Sequence, residues 1–305
     1  MSYQALPYIV LLGFLFGSTL VASRFSVGQF APTTYIGLRL VLASLGHTAI
    51  YLVAVRRRWP RDPVLWRRAG LLGVLGTAVP MTAIVSSLQF QSSGITAVLI
   101  TTNPAITVLL AHFVLADERL NGRKSLGVIL ALGGALLLAI RGETGLPDVT
   151  TANPLGYALV LVAMLFGSSM TIYARRQLRQ FSAFDVASVR MLVAALVVMP
   201  LSLIFVGFDL SLVTSTGYAA LGYAALVGTF AGMMLAFHNI QRFGATAAAM
   251  AGYVIPVVAA VAGTLVLDET ITAGMMGGMA LIISGIALIN QGTRVVVSRR
   301  GPLVP

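Results

Sequence analysis

Two arginines, Arg39 and Arg190, stand alone inside long apolar runs. A charge in such a setting is unfavourable and is a functional candidate by default. Each also lies about two turns from the end of its run, where a long side chain can snorkel to a polar interface. A structural role in linking helices is therefore weighed ahead of substrate contact. Asp185, just upstream of Arg190 in sequence, is its expected partner.

A second group gathers around prolines. Thr101, Thr102 and Asn103 precede Pro104. Proline lacks an N–H, so Pro104 frees the carbonyl of residue 100. A freed carbonyl beside an amide side chain could bind an ammonium group. The alternative is a packed kink, with the threonines bonding back onto their own helix. Tyr253 and Pro256 form a similar pair, in which the hydroxyl serves either a cavity or an interhelical bond. Thr77, Pro80 and Met81 make a third cluster; Pro80, Pro104 and Pro256 are read as kinks or gates.

The remaining candidates are milder. Ser18 and Thr19 follow Gly17, and Ser168 and Ser169 follow Gly167. They touch substrate or simply let helices approach closely. Tyr223, Phe230 and Met234 suit a permissive apolar cavity, since methionine adapts its shape; ordinary packing is the alternative. Of three scattered histidines, His238 is the expected proton-sensitive one. Glu118 and Glu269 sit just past the ends of apolar runs and are read as structural charges that close loop contacts, for example with Arg123 or Lys124.

Several chemistries are excluded. There are no cysteines, and the histidines show no metal-ligand spacing, so no metal or cofactor is expected. No phosphate-binding glycine loop is present, which excludes ATP-driven transport by this chain alone. All nine acids lie at run edges or in loops. A midplane carboxylate relay for protons is therefore absent, and a facilitator driven by its substrate's own gradient is the simpler reading. An integral-membrane lipid-modifying enzyme would need clustered His, Asp or Glu near one face, and none is seen.

These residues need a membrane scaffold. The chain has 305 residues, 58% hydrophobic and only 10% charged, against about 25% charged in soluble proteins. A spanning helix takes about 20 apolar residues. Ten runs qualify, at roughly 5–23, 33–55, 69–89, 94–116, 124–141, 154–174, 184–207, 217–239, 245–267 and 273–293. The first has no basic residue before it and is read as a retained helix rather than a cleaved signal. With ten spans and a cytoplasmic N-terminus, sixteen of the twenty basic residues fall in inner loops or the tail. Only Arg24 and Arg141 fall outside, so both termini are placed in the cytoplasm. The net charge of +11 thus records orientation, not nucleic-acid binding. The basic stretch 56–68, with both tryptophans, is read as an interfacial anchor on anionic lipid.

The chain also repeats itself. LFGST at 15–19 matches LFGSS at 165–169, and Arg39 matches Arg190 at an offset of 151. Glu118 and Glu269, Gly127 and Gly278, and Gly134 and Gly285 keep that offset. Five spans per copy is an odd number, so the copies must lie in opposite orientations. Arg119, Arg123 and Lys124 follow the first acidic pair, and no basic residue follows the second. Inverted repeats are the architecture of alternating-access transporters. The expected organisation is a single membrane transport domain over 1–305. Its copies run 5–141 and 154–293, with a cytoplasmic tail at 294–305.

The order of these motifs resembles the drug/metabolite transporter superfamily, in its ten-helix EamA-type branch. The resemblance implies an all-α integral membrane fold, with a central cavity lined by helices 1, 3, 4, 6, 8 and 9. It is similar most of all to bacterial inner-membrane amino-acid exporters of the YddG type. The implied partners are a small-molecule substrate and the lipid bilayer. The expected function is export of small neutral or zwitterionic metabolites, amino acids above all. Hydrophobic drugs are the alternative cargo. The oligomeric state stays open, a monomer included.

Overall fold

The computed structural model describes residues 3–53, 58–115, 119–149, 152–243 and 249–291. Every regular element among them is a helix. The long helices are α1 (Leu6–Phe25), α2 (Pro32–Val53), α3 (Pro63–Ser87), α4 (Ser93–Val114) and α5 (Gly122–Arg141). They continue as α6 (Pro154–Gln177), α7 (Ala183–Phe205), α8 (Ser215–Ile240, helical to Phe243), α9 (Ala251–Leu267) and α10 (Ala273–Gln291). Among the described residues, nine are long and apolar enough to cross a membrane, and α9 is a shorter apolar helix. Glu118, residues 244–248 of the ninth apolar run and the tail from 292 lie outside the described residues.

Polar side chains set the helix starts. Asp62, Ser92, Asn121, Asn153 and Thr214 each accept a backbone N–H in the first turn of α3, α4, α5, α6 and α8. Each cap satisfies a donor that the helix leaves open. In α3 the cap corrects a boundary. The apolar run begins at 69, but Asp62 accepts from Val64 N at 2.8 Å and Pro63 takes the first helical position. Trp66, Arg67 and Arg68 therefore ride on the helix and not in a loop. Trp66 donates to the Pro60 carbonyl at 2.9 Å, and Arg68 to that of Gln177 at 2.9 Å.

Three helices are irregular at mid-length. α3 passes through a π-helical turn at Val74–Ala78, and α8 through a longer one at Tyr223–Ala231. α4 breaks at Thr101–Thr102. The break has a local cause: Pro104 cannot donate to the Ile100 carbonyl. The Thr101 hydroxyl then donates to Ala97 O at 2.7 Å, and the Thr102 hydroxyl to Leu99 O at 2.7 Å. α9 also contains a proline, Pro256, yet stays continuous from Ala251 to Leu267.

The helices pack as α1 on α9, α4 on α6, α2 on α7, α5 on α10, and α2 and α7 on the π turns of α8 and α3. This pattern is unchanged when α1–α5 are exchanged with α6–α10. The α5–α10 contact shows the means. A Cβ at Gly134 would come within 2.9 Å of the Gly278 carbonyl oxygen, and one at Gly127 within 2.5 Å of that of Gly285. The duplicated glycines let two backbones touch, which is how helices associate when lipid is as apolar as the side chains. At the end that the basic residues assign to the outside, Thr144 and Gly145 tie the neighbouring loops together. Ser92 N donates to Thr144 O at 2.8 Å, and Thr270 N to Gly145 O at 2.9 Å.

Candidate functional site

A cavity of about 190 Å³ lies between α1, α2, α3, α4 and α9. Phe16, Thr19, Ser23, Arg39, Met81 and Ile100 are among its walls. Arg39 is 9% exposed. Its Nε donates to the Thr229 hydroxyl at 2.7 Å, and its Nη1 to the Ser23 hydroxyl at 3.1 Å. Those hydroxyls give their own protons to backbone carbonyls, Thr229 to Ala224 O at 2.9 Å and Ser23 to Thr19 O at 2.8 Å. Tyr35 also donates to Ser23, at 3.3 Å.

Arg190 repeats the contact from the other half of the chain. Its Nε donates to the Thr77 hydroxyl at 2.6 Å, and its Nη2 to Gly76 O at 3.4 Å. That carbonyl is available because Pro80, four residues on, has no N–H for it. Each arginine thus reaches from one half of the chain into the π turn of the other. π turns are frequent at functional sites because they open the helical ladder. The expected Asp185–Arg190 pair does not form. Asp185 accepts instead from Tyr51 of α2 at 2.5 Å. Residues five apart on a helix point to different faces, so proximity in sequence does not bring these two together.

The other sequence candidates divide by what they touch. Thr19 and Met81 line the cavity with Arg39. Ser18 meets Tyr223 at 2.7 Å across α1 and α8. Asn103 accepts from Ser168 at 2.7 Å, and Thr107 donates to Ser168 at 3.0 Å, across α4 and α6. Thr101 and Thr102 bond within their own helix, and Thr102 faces a separate cleft of about 290 Å³ between α4, α5 and α6, walled by Leu132, Leu136 and Leu161. Tyr253 accepts from Asn290 of α10 at 2.9 Å. Phe230 packs edge-on against His47. Ser169 and His238 are exposed, and His238 stacks near Tyr8. Met234 is half-buried in α8, and Pro80 and Pro256 are buried within α3 and α9.

Glu269 is 4% exposed and joins the two halves. It accepts from Ser93 N at 2.8 Å, Ser93 Oγ at 2.7 Å and Gly94 N at 3.4 Å, at the start of α4. Arg24 of α1 lies 4.0 Å away. Neither Arg123 nor Lys124 takes part. Ser23 and Arg24 were missed by the sequence reading. Ser23 falls one turn after Thr19 on the same helix face, and that spacing was its one available signal.

The EamA-like transporter family model matches this chain twice, over residues 4–140 and 154–291. An uncharacterized transporter of Archaeoglobus fulgidus is 25% identical over 276 residues, covering 90% of this chain and 94% of the relative. The Escherichia coli inner membrane transporter YedA is 27% identical, covering 91% and 88%. The Bacillus subtilis transporter YoaV is 25% identical, covering 91% and 94%. One solved crystal structure shares the fold, with a TM-score of 0.64 at 19% identity, over 94% of this chain and 96% of that one. The chain therefore belongs to the EamA-like transporter family and is a multi-pass transporter of the bacterial inner membrane, not an enzyme.

Proposed function

We propose that this transporter exports small neutral or zwitterionic metabolites, with amino acids, including aromatic and bulky apolar ones, as its cargo. The observation that carries this is the cavity beside Arg39. Its walls are hydroxyls, one guanidinium and the side chains of Phe16, Met81, Ile84, Val85, Ile100 and Ile255. Such a lining accepts an apolar side chain and one polar head group. Nucleotide sugars or sugar phosphates would require several cations. On this reading the chain resembles the YddG type within its family.

The mechanism we propose is facilitative alternating access between two inverted repeats. The π turns of α3 and α8 and the break in α4 supply the deformable segments. In this conformation the cavity is smaller than the roughly 300–1,000 Å³ of pockets that enclose drug-sized ligands. A bulky amino acid needs it to widen. Counterflow of radiolabelled leucine, phenylalanine, methionine, threonine, glutamate and lysine into liposomes, with no ion gradient, tests the reading. Uptake of the bulky neutral members alone supports it. No uptake of any amino acid by monodisperse protein overturns it. Hydrophobic cations and drugs are the second cargo class, favoured by the apolar cleft of about 290 Å³ on α4, α5 and α6.

A further inference from the structure

We infer that Arg39 is the anchor for a substrate carboxylate, and that the ligand at this site is a small monocarboxylate carrying an apolar tail. The inference rests on the amino-acid reading only for the ammonium group; the carboxylate is argued from Arg39 itself. A guanidinium stays charged at any pH a protein meets. Among the described residues, no carboxylate lies within ion-pair distance of Arg39. Its partners are neutral hydroxyls: Thr229 and Ser23, which give their protons to the Ala224 and Thr19 carbonyls, and Tyr35, which gives its own to Ser23. They orient the guanidinium and leave its charge uncompensated. Buried charges are paired in folded proteins, so an anion completes this site.

The pseudo-equivalent arginine shows why the site is at Arg39 and not at both. Arg190 has Thr77 and, in addition, the Gly76 carbonyl that Pro80 sets free. A carbonyl dipole takes up part of its charge. In the matching turn of α8 the residue at the proline's place is Ala231, so no carbonyl is released toward Arg39 in that way. Arg39 instead lines the cavity. Its planar fork matches a carboxylate with two parallel hydrogen bonds.

A second part of the lining suits the other end of a zwitterion. Ile100 borders the same cavity, and its carbonyl has lost its helical donor to Pro104. A carboxylate on Arg39 with an ammonium on the α4 break would bridge α2 and α4 across the cavity. Release of either would loosen the site as α4 bends.

The test uses the full chain in liposomes loaded with leucine. First, counterflow of radiolabelled leucine by the unmodified protein is challenged with 4-methylpentanoate, which keeps the carboxylate, or isopentylamine, which keeps the ammonium. We expect the acid to compete and the amine to be at least about tenfold weaker, the scale of a charge-assisted hydrogen bond. Second, Arg39→Gln is expected to raise the KM for leucine by roughly ten- to a hundredfold, with Arg39→Lys in between. Equal competition by acid and amine, or an unchanged KM in Arg39→Gln, overturns the inference and leaves amino-acid export standing. If no amino acid is transported but 4-methylpentanoate raises the melting temperature of the unmodified protein and not of Arg39→Gln, the anchor stands and the amino-acid reading falls. If 4-methylpentanoate neither competes nor stabilises, the anchor falls. Should Arg39→Gln fail to fold, the acid-against-amine comparison on the unmodified protein decides.

Discussion

Replacing Glu269 by glutamine is predicted to unlatch the outer end of the bundle. The carboxylate holds the start of α4 through Ser93 N, Ser93 Oγ and Gly94 N at 2.8, 2.7 and 3.4 Å. Glutamine keeps the shape and one acceptor oxygen. It loses the charge that strengthens each bond from the 0.5–1.5 kcal/mol of a neutral contact toward about 1.5–3 kcal/mol. It also loses the attraction of a carboxylate to a helix N-terminus, about 0.3–1 kcal/mol. The Arg24 contact at 4.0 Å adds little, since that arginine is partly exposed. The total comes to about 2–4 kcal/mol. At about 1.4 kcal/mol per tenfold, the lower figure alone shifts a closed-to-open equilibrium roughly thirtyfold. Because the chain has no cysteine, a single one placed at Ile84, on the cavity wall, reports access cleanly. Labelling by a membrane-impermeant maleimide from the outer side should rise at least about tenfold in Glu269→Gln, and the melting temperature should fall by roughly 5–10 °C. A melting temperature within about 2 °C of the parent, with unchanged labelling, would show that Glu269 does not hold this end closed.

Two further substitutions separate packing from transport. Gly134→Leu at the α5–α10 crossing should lower the melting temperature by several degrees, because overpacking costs about 1–3 kcal/mol or more; Gly133→Ala, with open space around it, should stay within about 1 °C. Tyr253→Phe removes the bond from Asn290, a loss of about 0.5–1.5 kcal/mol in thermal stability. It should leave the KM for leucine unchanged, and a severalfold rise would return Tyr253 to the substrate site.

Much of the scaffold was legible because the bilayer constrains it so tightly. Ten apolar runs of spanning length, the basic residues between them and a constant offset of 151 are properties of the chain alone. The Gly127, Gly134, Gly278 and Gly285 contacts were also foreshadowed, since small residues repeated at a fixed spacing have few uses in lipid other than close approach. What escaped were features decided by partners far along the chain. The start of α3 at Pro63 followed from a polar cap outside the apolar run. The latch on Glu269 joins residues 175 and 176 positions apart. Thr101 and Thr102 offered hydroxyls to a cavity in the sequence, but the nearest acceptors were the Ala97 and Leu99 carbonyls of their own helix.

The two arginines carry this point furthest. As sequence they are a matched pair at equal offset, each in the second helix of its copy. Their first hydrogen bonds are also matched, Arg39 to Thr229 and Arg190 to Thr77. Their second partners differ: Arg39 reaches Ser23 of α1, where Ala174 stands at the matching place in α6, and Arg190 reaches the Gly76 carbonyl. Pro80 in α3 opens the Gly76 carbonyl for Arg190, while Ala231 in α8 opens none for Arg39. Arg190 therefore has a carbonyl of the facing copy beside its hydroxyl partner, and Arg39, on the inference above, leaves its charge to a ligand. Twin arginines of a duplicated fold thus acquire unequal surroundings through a few residues of the helices that face them.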